Sequence, residues 1–182
     1  ILKHSLIMGK KFFNYLDKNA ENILKLKKPF LEKAIFQSCL IKKKIIEKDE
    51  SEKNIRQILN FGHTFAHAFE ATNNYSKKLN HGEAVLLGII CAVNFAHKNN
   101  SIKKNDYKKI VHHYKKLNLP ISIKKIFSKQ NPKKILSFMK KDKKNNNTNI
   151  NLVLLNKIGN VNYNCQFKYS KINRFLKTEL VN

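Results

Sequence analysis

The chain has 182 residues, of which 42% are hydrophobic, and this length is enough to bury the core of one domain. It carries 37 basic and 12 acidic residues, so its formal net charge is +25. A protein that reads nucleic acid in a groove would use arginine for bidentate contacts, but only Arg56 and Arg174 are arginines, and the lysines are spread along the whole chain. We therefore expect no nucleic-acid partner, and we expect the charge to favour anionic small molecules.

Helical spacing of apolar residues is the main pattern along the chain. Apolar and small residues recur every three or four positions after Pro29, a residue that suits the first turn of a helix. Residues 81–97 form a long, mostly apolar run that ends before the roughly 18–20 clean apolar residues needed to span a membrane. This run therefore predicts a buried central helix and no membrane partner. Further helices are predicted at residues 106–117, at 132–141 with Asn131 as the cap, and from a Ser170 cap through Leu180.

The C-terminal region adds a short stretch of β-structure. A polar loop is predicted at residues 145–149, and residues 150–155 and 161–167 flank Gly159-Asn160 as in a β-hairpin. The sequence therefore predicts a mainly α-helical fold with a small β-hairpin near the C-terminus, and residues 1–182 as a single domain. Three cysteines, Cys39, Cys91 and Cys165, are widely spaced without a CxxC pair, so we expect free thiols in a reducing cytoplasm.

Three histidines in the middle of the chain form the most informative pattern. His63 and His67 are four residues apart, so on a helix they face the same side, and His81 follows a polar turn that can bring it back beside them. Nearby glycines, Gly62, Gly82 and Gly88, suggest backbone passing close to something bound. Neutral imidazole is a common metal ligand, and a catalytic zinc site usually has three protein ligands. Spacing alone therefore predicts His63, His67 and His81 as metal ligands, whereas His97, His112 and His113 are interpreted as packed or solvated residues.

The segment around these histidines resembles a known family. The sequences RQILNFGHTFAHAFE at residues 56–70 and LNHGEAV at 79–85 are similar to the signature of 3-dehydroquinate synthase, and the similarity extends through 42–52 and on to 141–144. The resemblance implies the helical C-terminal domain of the dehydroquinate synthase-like fold. It also implies cyclisation of 3-deoxy-D-arabino-heptulosonate 7-phosphate to 3-dehydroquinate, with loss of phosphate.

The resemblance assigns roles that spacing alone does not. It implies that His63 and His81 bind a divalent ion, Zn²⁺ or Co²⁺, while His67 and Glu52 transfer protons. The residues implied to contact the anionic sugar-phosphate substrate are Lys3, Lys42, Arg56, Asn60 and one lysine of the 142–144 segment, for which we favour Lys143 over Lys144. Arg56 also stands out by itself in a lysine-rich chain, because a planar fork suits a carboxylate or phosphate.

Two features of the family, its third metal ligand and its dinucleotide-binding motif, are not found among these 182 residues. The third metal ligand of the family, a glutamate, would immediately precede Ile1, and no Gly-rich dinucleotide-binding motif occurs in the chain. We therefore expect NAD to be held by an N-terminal domain that is missing here, the isolated chain to be inactive, and the full-length protein to be a homodimer. The alternatives are another sugar-phosphate cyclase, a more distant metal-dependent alcohol dehydrogenase, or an inactive truncated remnant.

Overall fold

Helices dominate the computed structural model, which describes residues 1–127, 131–141 and 149–181. The helices are α1 (Leu2–Met8), α2 (Lys10–Lys18), α3 (Ala20–Leu24), α4 (Phe30–Lys48), a 3-10 helix (Ile55–Asn60), α5 (His63–Thr72), α6 (His81–Lys98), α7 (Lys104–Lys116), α8 (Lys124–Phe127), α9 (Pro132–Lys140) and α10 (Tyr169–Val181). Strands β1 (Asn149–Lys157) and β2 (Asn160–Lys168) lie between α9 and α10. The mainly α-helical fold with a β-hairpin near the C-terminus is therefore confirmed. Within the ranges described, no helix is both long enough and apolar enough to cross a membrane.

Helix α6 is the buried central helix that the sequence predicts. Its start is fixed by a capping box, in which the Asn80 side chain accepts from the Glu83 N–H and the Glu83 carboxylate accepts from the Asn80 N–H, both at 3.0 Å. Beyond the first turn almost every face of α6 is buried, including Leu87, Ile90 and Val93. A helix that is apolar on nearly all sides must be surrounded by other elements, and α6 packs against α5, α7 and β1.

The contact between α5 and α6 is unusually close because of two glycines. A methyl group on Gly88 would lie 2.1 Å from the carbonyl oxygen of Gly62, and one on Gly62 would lie 2.8 Å from the backbone nitrogen of Ile89. Gly62 also has a φ of +80°, which favours glycine. Gly62 and Gly88 let two backbones meet, so for these two glycines the interpretation that they allow close approach to a bound molecule is corrected. For Gly82 it stays a prediction. The contact fixes where α5 begins, and therefore where His63 stands.

The hairpin closes the core on the other side of α6. β1 and β2 pair antiparallel, with Ile150 opposite Phe167 and Leu152 opposite Cys165. The ring of Phe167 packs edge-on against Phe95 of α6, with ring centroids 4.8 Å apart. At the hairpin turn, the N–H of Gly159 donates to the carbonyl of Leu6 at 2.7 Å, so the turn holds α1 against the rest of the molecule.

Several predicted boundaries change in the structure. The Ser170 cap is wrong, because β2 ends at Lys168 and α10 begins directly at Tyr169, which leaves Ser170 inside the first turn. The Asn131 cap is confirmed by a hydrogen bond from the Lys133 N–H at 2.9 Å. Of the predicted polar loop, Asn149 opens β1, and residues 145–148 lie outside the described residues.

The histidines and cysteines interpreted as structural occupy ordinary positions. His113 is buried and bonds to Asp17 at 2.7 Å, His97 stacks on Tyr107 with ring centroids 3.9 Å apart, and His112 is exposed. All three cysteines are free thiols, as predicted.

Candidate metal and anion site

The carboxylate of Asp49 organises the chain that leads into the site. It accepts hydrogen bonds from the backbone N–H groups of Lys53, Asn54 and Arg56 at 3.1, 2.7 and 3.0 Å. Burial acts to raise the pKa of this carboxyl, but the three backbone donors, together with the charge of Arg56, outweigh it and hold the pKa below its usual value. The turn closed by Asp49 leads directly into the 3-10 helix, whose last residue is Asn60.

The three central histidines lie together, as their spacing predicts. Ring centroids are 5.5 Å apart for His63 and His67, 5.9 Å for His63 and His81, and 6.5 Å for His67 and His81. His63 and His67 are both on α5, and His81 is the first residue of α6. Across the described residues, however, no group of three or more His, Cys, Asp or Glu side chains is arranged to hold a metal ion. The structure therefore shows no preformed three-histidine ligand set, and which of the three rings bind a metal stays a prediction.

The ring of His63 is oriented by its own backbone. Its Nδ1 lies 3.2 Å from the carbonyl oxygen of Phe61, and because a carbonyl only accepts, Nδ1 must donate. Its Nε2 then carries the lone pair. Burial, followed by the charge of Lys3, lowers the pKa of His63 to about 4, so the ring is neutral at physiological pH. A neutral imidazole with an available nitrogen is the form that binds a metal.

Lysine ammonium groups supply positive charge beside this ring. Lys3 Nζ donates to the Leu59 carbonyl at 2.7 Å and lies 3.4 Å from His63 Nε2. Burial and the neighbouring charge of Lys42 lower the pKa of Lys3 to about 8, which still leaves it mostly protonated at pH 7. The Lys3 ammonium thus occupies the side of His63 that a metal cation would approach.

These groups line one cavity of about 560 Å³. Its polar side chains come from α1, α4, the 3-10 helix, α5 and α6, and they are Lys3, His4, Lys42, Asn60, His63 and His81. A concave site with three imidazoles, two lysines and an amide suits an anionic, oxygen-rich ligand and a divalent cation.

Glu52 and Arg56 extend the site beyond the cavity wall. The side-chain N–H of Asn60 donates to Glu52 Oε1 at 2.8 Å, and Arg56 Nε lies 4.0 Å from Glu52 Oε2. Glu52 has a φ of 57°, which is uncommon for a residue with a side chain. Strained backbone of this kind is frequent at functional sites.

The structure thus gathers most of the predicted site residues, although their roles stay predictions. Lys3, Lys42, Asn60, His63 and His81 line the cavity, Glu52 and Arg56 adjoin it through Asn60, and His67 lies beside it next to His63. Lys143 lies outside the described residues. Sequence reasoning missed His4, which lines the cavity and bonds to Ser38 at 2.7 Å, and Glu70, which bonds to His81. Glu70 could have been found from its spacing, because a residue seven after His63 lies two turns along the same helix face.

The chain is similar to proteins of one family along its length. The family model described as 3-dehydroquinate synthase C-terminal matches residues 1–145. The chain is 58% identical over 180 residues to a 3-dehydroquinate synthase of Pelagibacter ubique, which covers 99% of the chain and 49% of that protein. It is 41% identical over 160 residues to a 3-dehydroquinate synthase of Endomicrobium trichonymphae, which covers 87% of the chain and 42% of that protein. The chain therefore spans about half the length of these relatives.

Solved structures with lower sequence identity share the fold. The 2-epi-5-epi-valiolone synthase of Streptomyces hygroscopicus, with NAD⁺ and Zn²⁺ bound, matches with a TM-score of 0.81 at 17% identity over 97% of this chain and 48% of that one. A 2-deoxy-scyllo-inosose synthase complexed with carbaglucose-6-phosphate, NAD⁺ and Co²⁺ matches with a TM-score of 0.76 at 24% identity, over 98% and 49%.

Proposed function

The chain belongs to the 3-dehydroquinate synthase family, and from this premise we propose that it provides the metal- and substrate-binding side of that synthase. The reaction converts 3-deoxy-D-arabino-heptulosonate 7-phosphate to 3-dehydroquinate with release of phosphate. One observation supports this most strongly: His63 and His81 share a cavity with Lys3, Lys42 and Asn60. A phosphorylated keto acid presents two anionic groups and several hydroxyls, which is the chemistry that such a lining recognises.

The two imidazoles fit a divalent ion as part of its coordination shell. The Nδ1 of His63 is committed to the Phe61 carbonyl and that of His81 to the Glu70 carboxylate, so the lone pair of each neutral ring is on Nε2. This is the usual arrangement of histidine ligands. A metal at His63 Nε2 would take the position that the Lys3 ammonium holds at 3.4 Å. We propose that oxygen donors outside the described residues or from the substrate complete the shell. Once bound, a divalent ion supplies Lewis acidity and NAD supplies a hydride acceptor that later returns the hydride.

The side chains of the chain bind the substrate and move protons. Lys3 and Lys42 place positive charge where a carboxylate or phosphate would lie, and the Asn60 amide contributes hydrogen bonds. We propose His67 as a proton-transfer residue, since it lies beside His63 with ring centroids 5.5 Å apart. Glu52, within hydrogen-bond reach of Asn60, is proposed as the second.

Three further properties of the working enzyme belong to the same proposal. We propose that NAD is bound by residues beyond these 182, because the family members matched are about twice as long. The proposed enzyme is a homodimer in the cytoplasm. Lys143 is proposed to join the lysines that contact the substrate.

The dehydroquinate branch is favoured over a sister cyclase by sequence. The inosose and valiolone synthases are 24% and 17% identical to this chain, against 58% for the Pelagibacter synthase. The discriminating experiment is a substrate panel given to an enzyme that combines residues 1–182 with an NAD-binding segment. We expect phosphate release from the heptulosonate phosphate and none from hexose phosphates.

The variant His67→Ala tests the proton-transfer role in the same enzyme. It should slow phosphate release by roughly 10²–10⁴-fold, the usual contribution of a general acid or base. Turnover of a hexose phosphate in place of the heptulosonate phosphate would assign the chain to a sister cyclase. An unchanged rate in His67→Ala would remove His67 from the mechanism.

A further inference from the structure

A carboxylate from α5 reaches the ring of His81 across the gap between two helices. Glu70 Oε1 lies 3.0 Å from His81 Nδ1, and the Glu70 side chain is only 14% exposed, whereas that of His81 is 62% exposed. The exposed ring is thus bound to a nearly buried partner. Such a bond orders a side chain that solvent would otherwise leave free to rotate.

The chemistry of this bond fixes the tautomer of the neutral ring. A carboxylate oxygen accepts and cannot donate, so Nδ1 of His81 must carry the proton. The lone pair is then on Nε2, the nitrogen that remains for a ligand. His63 reaches the same state by donating from Nδ1 to the Phe61 carbonyl. Two rings that line one cavity therefore each have Nδ1 occupied and the lone pair on Nε2. The Nε2 of His63 faces the Lys3 ammonium at 3.4 Å.

The backbone around His81 does not by itself orient the ring. The capping box between Asn80 and Glu83 fixes where α6 begins, and so fixes the Cα of His81. Rotation about the two side-chain torsions of His81 remains, because its ring is mostly exposed. Glu70 is the hydrogen-bonding partner that removes this freedom.

We propose that Glu70 is a positioning residue that holds His81 in the Nδ1–H tautomer, with Nε2 free for the metal of the active site. The identification of the ligand as a metal rests on the proposed function. The tautomer of the His81 ring does not depend on it. The proposal extends the set of site residues to a side chain that acts through His81, as outer-shell carboxylates do at histidine–metal sites.

The direct test is ¹⁵N nuclear magnetic resonance of the imidazole nitrogens in the metal-free protein at a pH where the rings are neutral. The His81 signals are identified by their loss in His81→Ala. We expect the Nδ1–H tautomer in the wild type, and a shift toward the Nε2–H tautomer, which imidazole favours in water, in Glu70→Ala. Glu70→Gln, whose amide oxygen can still accept, should retain most of the wild-type pattern. An unchanged His81 tautomer in Glu70→Ala would overturn the proposal.

The second measurement is zinc affinity by calorimetry on the same proteins. Loss of an outer-shell partner costs about 10–100-fold in metal affinity, so we expect that reduction in Glu70→Ala and a smaller one in Glu70→Gln. The matched control is Glu47→Ala, which removes an equal charge from an exposed pair with Lys43 and should leave both readouts unchanged. Equal zinc affinity in Glu70→Ala and the wild type would also overturn the positioning role.

The two proposals can fail separately. If the wild type binds no zinc, the metal part of the proposed function fails, and the tautomer experiment still decides whether Glu70 orders the ring. If Glu70→Ala does not fold, Glu70→Asp replaces it, because its shorter carboxylate loses the contact with Nδ1. An unchanged His81 tautomer in Glu70→Asp would then overturn the proposal.

Discussion

At the scale of single residues, Asp49 shows how one carboxylate can support a site without touching it. Burial acts to raise its pKa, but three backbone donors and the charge of Arg56 outweigh this and hold the pKa below its usual value in the folded protein. A depressed pKa stabilises the fold above the unfolded-state value, and this contribution is lost as pH falls below about 4 through the folded-state pKa. We therefore expect Asp49→Asn to be less stable than the wild type at pH 7, with the difference shrinking toward pH 2.

Urea unfolding at several pH values measures this difference. Glu32→Gln, which alters an exposed ion pair with Lys28, is the control and should follow the wild-type curve. A constant gap between Asp49→Asn and the wild type from pH 7 to pH 2 would contradict the assigned role of the carboxylate.

Arg56 is the second residue whose individual chemistry matters. Its guanidinium donates to the carbonyl of Glu50 and lies beside Glu52, so a planar fork contacts two groups at once. Lysine is a point charge and cannot reproduce this geometry. In an enzyme that contains these residues, Arg56→Lys should lower kcat/KM by about 1–3 kcal/mol in transition-state free energy, the size of one charged hydrogen bond. Arg174→Lys, on α10, is the matched control, and an equal loss there would show that Arg56 has no special role.

At the scale of elements, the site depends on the close contact of α5 with α6. Gly88→Ala would place a methyl group 2.1 Å from the Gly62 carbonyl oxygen and 2.9 Å from the Ala66 nitrogen. Backbone atoms cannot move aside as a flexible side chain can, so we expect a loss of about 3 kcal/mol in the free energy of unfolding, near the upper end of overpacking costs. Thermal or urea unfolding would measure it.

Gly82→Ala is the matched control for the contact between α5 and α6. A methyl group on Gly82 would meet only the Asn80 side-chain oxygen at 3.4 Å, so its effect should stay within about 1 kcal/mol. Equal losses for the two variants would mean that the helix contact is looser than the structure shows.

The sequence predicts the long elements better than the short ones. Helix α6 and the hairpin follow from an apolar run and from strands around Gly159. By contrast, α1, α2 and α3 have 7, 9 and 5 residues. Helices this short are marginal in isolation and form through packing that no local pattern reveals. Lys3 on α1 is therefore a site residue that only the family resemblance suggested.

At the scale of the whole molecule, the fold assembles a site from segments far apart in the chain. The spacing of His63, His67 and His81 predicts their proximity, but it cannot say which ring faces the cavity, because that depends on the crossing of α5 and α6. Asp49 was missed for a related reason, because an acidic residue in a charged run usually indicates a solvated surface, and only the folded chain shows its partners. Glu70 lies outside such a run; its spacing from His63 indicates the shared helix face, but only the folded chain shows that it bonds to His81.

The central claim is that His63 and His81, and not His67, form the metal-binding part of a cationic, substrate-binding cavity. Calorimetric titration of the chain with Zn²⁺ tests it most directly, with the wild type compared with His63→Ala, His81→Ala and His67→Ala, and with exposed His112→Ala as a control for nonspecific binding. We predict weak, saturable binding in the wild type, because two imidazoles form an incomplete ligand set. Binding should be lost in His63→Ala and His81→Ala and retained in His67→Ala and His112→Ala. The account would be contradicted if His67→Ala lost zinc binding as completely as His81→Ala. It would also be contradicted if zinc binding persisted in His63→Ala.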